Sequence, residues 1–149
     1  MRLKVYLDAC CLNRLTDDQS QVRIRDEAEA VEATLRMVRA GSVTWVSSAV
    51  LEIEINRNPD ADRRHDVARL LALANEVVVP QSPAAERAAS LQKLGFDPFD
   101  ALHLACAEEG GADVFLTTDD DLIRRARRRI NEIRTRVMNP VSWYQEVAP

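Results

Sequence analysis

Apolar and polar positions along the chain switch between two periods, and the switching predicts strands separated by helices. Leu3 to Leu7 is rich in large apolar residues and reads as a first strand, and the stretch from Asp17 to Arg25 is polar. Glu27 to Arg39 carries Ala28, Val31, Leu35 and Val38 at helical spacing, with Gly41 as its stop. Val43 to Val46 predicts a second strand, Ser48 an N-cap for a helix through Ile55, and Asn58-Pro59-Asp60 its break. A helix over Asp62 to Ala74, a short strand at Glu76 to Pro80 and a helix from Pro83 to Leu94, ended by Gly95, come next. The pattern closes with a helix over Pro98 to Glu109, a strand at Val114 to Thr117, a helix over Leu122 to Ile133, a short strand near Arg136 to Met138, and a tail containing Trp143.

Strands that alternate with helices imply βαβ units. The expected fold is α/β: a single three-layer domain over residues 1–149, with a central, mainly parallel sheet flanked by helices. In open sheets of this kind ligands sit beyond the carboxyl ends of the strands. Four acids fall where an apolar run ends or a helix begins: Asp8 in LDACCLN, Glu52 in VSSAVLEIE, Asp100 in GFDPFDALHLACA and Asp119 in VFLTTDDDL. Capping competes for some of them. Asp97-Pro98-Phe99-Asp100 fits an N-cap, a proline at N1 and an acid at N3, and Asp119 to Asp121 suit a helix start. Glu52 stands beside Glu54 in a short helix, where an exposed glutamate is the usual outcome. Asp8 resists that explanation, because it lies between LKVYL and ACCL and a carboxylate buried without a partner is costly.

Composition narrows the class. The chain has 149 residues, 46% hydrophobic and 30% charged, as a globular protein has, and no apolar run reaches the roughly 20 residues of a membrane-spanning helix. The N-terminus passes directly into a strand pattern, so a cytoplasmic protein is expected. The 3 cysteines, two of them adjacent, suit a reducing compartment, with Cys10 and Cys11 as small apolar groups at the end of the first strand. Without a CxxC pair, and with His65 and His103 far apart, a structural zinc site has little support. No Ser-His-Asp order, P-loop or GxGxxG is present, which leaves acyl transfer and nucleotide binding unsupported. Trp45 is expected in the core. His103, one turn after Asp100, either faces the same pocket or is a satisfied helix histidine.

The ordered set resembles the PIN-domain family of metal-dependent ribonucleases, which includes the toxins of many bacterial toxin–antitoxin pairs. The resemblance spans nearly the whole chain: an aspartate after the first strand, Ser47 followed five residues later by Glu52, the DALHLACA helix and the LTTDDDL turn. It implies Asp8, Glu52, Asp100 and Asp119 as a catalytic acidic cluster, with Asp8, Asp100, Asp119 and Asp121 as metal ligands. Asn13 and Thr118 would be polar groups behind them, and Asp97, Asp120 and Glu54 are competing acids within the same motifs. Crowded carboxylates raise one another's pKa unless a cation neutralises them, and oxygen-only ligands favour Mg²⁺ or Mn²⁺. An RNA substrate, products with 5′-phosphate and 3′-hydroxyl ends, and a small antitoxin protein as partner follow from the resemblance. A homodimer is the commonest assembly for such chains.

Charge complicates that picture. A net charge of −4 and a pI near 5.2 repel a polyanion, so local basic residues must hold RNA. Of 20 Lys and Arg residues, 7 lie between Arg124 and Arg136, and Arg124, Arg127 and Arg128 are the candidate RNA contacts; a solvated helix face is the competing explanation. Aromatic residues make up only 5%, so no stacking platform for single strands is evident. The alternative function is a non-catalytic RNA-binding or protein-interaction domain that keeps the fold. A phosphohydrolase with an aspartyl nucleophile would want a second acid two positions after Asp8, where Cys10 stands.

Overall fold

In the computed structural model, which describes residues 2–148, the five strands are β1 (Leu3–Leu7), β2 (Val43–Ser48), β3 (Glu76–Val78), β4 (Val114–Leu116) and β5 (Arg136–Met138). They form one sheet in the order β3-β2-β1-β4-β5, with every neighbouring pair parallel. The helices between and around them are α1 (Ala9–Asn13), α2 (Val22–Arg39), α3 (Ala49–Asn56), α4 (Ala61–Leu71), α5 (Ser82–Lys93), α6 (Pro98–Glu109), α7 (Asp120–Arg128) and α8 (Pro140–Val147). The chain builds outward from β1 to β3 on one side, then returns to place β4 on the other side of β1. The switch point of the sheet therefore lies between β1 and β4, and their carboxyl ends lead to Asp8 and Asp119.

The central strand is buried on both faces, which is why LKVYL lacks an alternating polar pattern. Val5 and Leu7 join Val43, Trp45, Val114 and Leu116 in one core, closed by Val31, Leu35 and Val38 of α2 and Trp143 of α8. Tyr6 joins Val46 and Phe115 on the opposite face, under the small side chains of α5 and α6. The Tyr6 and Phe115 rings stack with centroids 5.1 Å apart. Helix α6 approaches the sheet so closely at its end that a Cβ on Gly110 would fall 2.5 Å from Val46 Cγ1. Among the described residues no helix is long and apolar enough to cross a membrane.

Three elements depart from the sequence expectation, each for a local reason. Helix α1 is a single short turn begun by Asp8, too brief to leave a period. Helix α2 starts at Val22, five residues before the apolar pattern does, because its first turn is exposed and held by charge. Arg23 donates to Asp120 and to Glu27, and Glu27, only 1% exposed, also receives Arg14 Nε at 2.8 Å and Asn139 Nδ2 at 2.6 Å. Helix α7 ends at Arg128 rather than running to Ile133. The segment beyond it is tied elsewhere: Glu132 O accepts from Arg87 at 2.6 Å, and Arg134 N–H donates to Glu108 Oε2 at 3.0 Å.

Candidate active site and metal centre

Asp8 follows β1 directly and caps α1. Its N–H donates to Leu116 O of β4 at 2.9 Å, which fixes the residue in the crevice between the two strands. Its Oδ1 accepts from Ala9 N–H at 2.9 Å and its Oδ2 from the Thr117 hydroxyl at 2.9 Å. The hydroxyl on this carboxylate is therefore that of Thr117; Thr118, buried beside it, gives its N–H to Cys10 Sγ at 3.3 Å and its carbonyl to Arg23. Burial raises the Asp8 pKa above the usual carboxylate range, and the Glu54 charge adds to the effect, against the opposing influence of His103 and the two hydrogen bonds. Cys11 is the small buried group expected at the strand end. Cys10 instead lines the pocket, with its Sγ 3.3 Å from Thr117 Oγ1.

Helix α3 brings a glutamate to the same place, and it is Glu54. Ser48 caps this helix through its hydroxyl, which accepts Leu51 N–H at 3.1 Å, and Val50, Leu51 and Ile55 form the buried face. Glu54 lies on that face at i+4 from Val50 and i+3 from Leu51. Glu52, about 200° away around a helix that turns about 100° per residue, points outward instead. It is exposed and shares the hollow between α3 and α4 with Ile55, Ala68 and Leu71. The structure thus does not bring Glu52 to the group formed by Asp8, Glu54 and His103, because the phase of its helix turns it outward.

Asp8, Glu54 and His103 offer ligand atoms that all lie within 4.8 Å of one another. His103, on α6, is 1% exposed; its Nε2 is 3.1 Å from Glu54 Oε1, and its Nδ1 is 2.6 Å from the Tyr6 hydroxyl. Burial works against a charged imidazole, but the Glu54 hydrogen bond and the charges of Asp8, Glu54 and Asp100 outweigh it and raise the pKa. Asp100, one turn earlier on α6, is half-buried. Its pKa is pushed up to about 6, first by burial and then by the charges of Asp8, Asp119 and Asp97. A carboxyl raised by burial and by its neighbours' charge is a candidate for a functional site.

The remaining candidates lie around the rim or away from it. Asp119 caps α7, accepting from Asp121 N–H at 3.0 Å and Leu122 N–H at 3.2 Å, and is exposed next to Asp100's field. Asp121 is exposed and pairs with Arg124. Asn13 ends α1, and what it offers its neighbours is its carbonyl, which takes Thr16 Oγ1 at 3.1 Å. An open groove of about 570 Å³ runs from Asp119 past Thr118, with Arg14, Arg23 and Arg124 along it. Arg127 lies off this groove, in a hollow with Ile130 and Ile133, and Arg128 is exposed at the end of α7.

The acidic pocket lies at the switch point of a parallel α/β sheet, the place where open sheets of this kind bind their ligands. The sequence matches the PIN domain family over residues 5–144, and the chain belongs to that family. Solved structures share the fold at low identity. The VapBC2 complex of Rickettsia felis, bound to a DNA fragment from its promoter, aligns with a TM-score of 0.60 and 11% identity over 92% of this chain and 98% of that one. PAE2754 of Pyrobaculum aerophilum gives 0.56 and 14%, covering 99% and 91%. VapC20 of Mycobacterium tuberculosis, described as a toxin that cleaves the sarcin-ricin loop, gives 0.55 and 16%, covering 79% and 92%. Comparison with curated proteins finds no match.

Proposed function

We propose that the chain is a divalent-metal-dependent endoribonuclease that hydrolyses RNA phosphodiester bonds and acts as the toxin of a toxin–antitoxin pair. The observation that carries this reading is the convergence of the Asp8 and Glu54 carboxylates at the sheet's switch point, with the pKa of Asp100 nearby driven up to about 6 by burial and neighbouring charge. Membership of the PIN family and the likeness to VapC-type structures support the reaction class and the toxin role.

The donor set fits a hard cation. Carboxylate oxygens of Asp8 and Glu54 face one space, Asp100 and Asp119 stand close enough for their charges to be felt, and Mg²⁺ or Mn²⁺ prefers such ligands. When bound, the ion supplies positive charge to a scissile phosphate and lowers the pKa of the attacking water. The chain's own contribution is orientation: Thr117 and Ala9 N–H hold the two oxygens of Asp8, and the cap of α7 holds Asp119 beside the groove. Arg124, along the groove, is the side chain best sited to meet the RNA backbone, with Arg127 and Arg128 further out.

Incubation of the protein with structured and unstructured RNA, with Mg²⁺, with Mn²⁺ and with EDTA, tests the reading. Cleavage to 5′-phosphate and 3′-hydroxyl ends only with the metal is expected. Binding that persists in EDTA with no cleavage under any condition would replace it with a non-catalytic RNA-binding domain. The toxin role predicts a small DNA-binding protein encoded beside this gene, which co-purifies with the chain and silences it. Homodimer formation is checked by light scattering of the isolated protein.

A further inference from the structure

Between β1 and α6 the interior contains two polar groups that packing does not require. Phenylalanine and leucine would fill the places of Tyr6 and His103 without any polar atom to satisfy, yet both side chains are fully buried there and every polar atom is partnered. With His103 neutral, their bonds have one consistent direction. An ionised Glu54 can only accept, so His103 Nε2 carries the proton and donates at 3.1 Å. Nδ1 then accepts the Tyr6 O–H at 2.6 Å, the Tyr6 oxygen accepts the Ser48 O–H at 2.7 Å, and Ser48 Oγ accepts Leu51 N–H at 3.1 Å. The relay begins and ends on α3: it leaves the helix at the Ser48 cap, crosses β1 and α6, and returns at Glu54.

We propose that His103 is a positioning residue which, held by the Ser48–Tyr6 relay, fixes the carboxylate of Glu54 in the orientation that faces Asp8. The proposal rests on the metal-site reading above and adds to it the device that sets one ligand. Glu54 needs such a device. Its side chain is 34% exposed, has three rotatable bonds, and among the described residues has no other hydrogen-bond partner. Asp8, by contrast, is short and is held on both oxygens. A direct ligand role for His103 is disfavoured by the same geometry, because a nitrogen that carries a proton for Glu54 has no lone pair for an ion. Partners behind a metal ligand commonly alter metal affinity by 10- to 100-fold when removed.

Two substitutions at one position separate orientation from packing. His103→Asn keeps an acceptor near the place of Nδ1 but ends short of Glu54, whereas His103→Gln extends far enough to donate an amide N–H to it. Calorimetric titration with Mn²⁺ alone is expected to show affinity reduced about 10-fold in His103→Asn and largely restored in His103→Gln. In RNA cleavage, kcat should fall in the same order while KM stays near the wild-type value. Tyr6→Phe, which removes one oxygen and keeps the ring, should weaken Mn²⁺ binding in the same direction and serves if His103→Asn does not fold. Wild-type Mn²⁺ affinity in folded His103→Asn or in Tyr6→Phe would overturn the proposal. So would an imidazole nitrogen coupled to bound Mn²⁺ in pulsed EPR, which would make His103 a ligand. If the wild type itself binds no Mn²⁺, the metal-site reading fails first and this one with it.

Discussion

The pocket at the switch point and the arginine-rich segment from α7 to β5 are two charged parts of the molecule, and they are organised in different ways. In the pocket three of the charged or polar side chains have a named partner: Asp8 has Thr117, Glu54 has His103, and His103 has Tyr6, while Asp100 has none among the described residues. Along the other segment most arginines reach into solvent, with Arg125 half-buried and Arg136 paired with Glu146. Arg127 and Arg128 have no side-chain partner among the described residues, and Arg124 and Arg129 hold only acids three positions away. The difference follows from burial. A charge out of water must be matched, so its surroundings become specific; a charge in water is screened, and its geometry is left free.

The sharpest way to break the comparison is to remove one pocket carboxylate at a time. Asp8→Asn and Glu54→Gln should each lower kcat for RNA cleavage by at least about 100-fold, the scale of losing one fixed electrostatic group at a reacting centre. Asp8→Asn keeps an oxygen for Ala9 N–H, so far-UV circular dichroism should not change. Glu52→Gln, on the outer face of the same helix, should stay within about twofold of wild type. Equal losses at Glu52 and Glu54 would mean that both glutamates serve the reaction and that the phase of α3 does not separate them.

A smaller effect should appear in stability. Asp100 is held up to about 6, so the metal-free fold takes up its proton more readily than the unfolded chain. That contribution is complete below about pH 4 and is lost as pH rises through about 6. Asp100→Asn should therefore raise stability at pH 8 in EDTA, with the gain gone by pH 4. The full shift is worth about 3 kcal/mol, and solvent at this half-buried site reduces the expected gain to about 1 kcal/mol. Urea titrations at the two pH values measure it. Saturating Mn²⁺ should reverse the order, because the wild type then gains from binding what the variant cannot.

These contrasts explain what was legible in the sequence. The strands were, because apolar runs such as LKVYL and VFL record burial on both faces, and the cap residues Ser48 and Asp119 mark the helix starts they were assigned. Asp8 was legible for the same reason: a lone acid between apolar runs has to be accommodated. Spacing from Ser47 points to Glu52 and leaves Glu54 a competing acid, although Val50, Leu51 and Ile55 already mark the inner face on which Glu54 lies. His103 could not be assigned from a helix pattern alone, since its partners Tyr6 and Glu54 stand 97 and 49 positions away. Thr117 and Thr118 differ only in which hydroxyl meets Asp8, and that depends on how β4 ends against β1. The length of α7 was overestimated because nothing local ends it; Arg87 and Glu108, from other helices, hold the chain beyond it.

The smallest predicted effect concerns the arginines, and it sharpens the comparison inside the loosely specified region itself. Arg124 borders the groove that starts at Asp119, whereas Arg127 sits in the hollow with Ile130 and Ile133. RNA that enters the pocket along the groove should therefore meet Arg124 and bypass Arg127. Arg124→Gln is expected to weaken binding of an uncleaved RNA severalfold and to reduce the slope of log affinity against log salt by about one unit, as the loss of one phosphate contact does. Arg127→Gln should leave the slope unchanged, and both variants should keep the wild-type kcat at saturating RNA, because neither side chain touches the acidic cluster. Titrations at several salt concentrations resolve the two cases. Equal slope changes for both would place the RNA across the whole exposed face of α7, and no change for either would leave the segment as a solvated surface with no part in holding substrate.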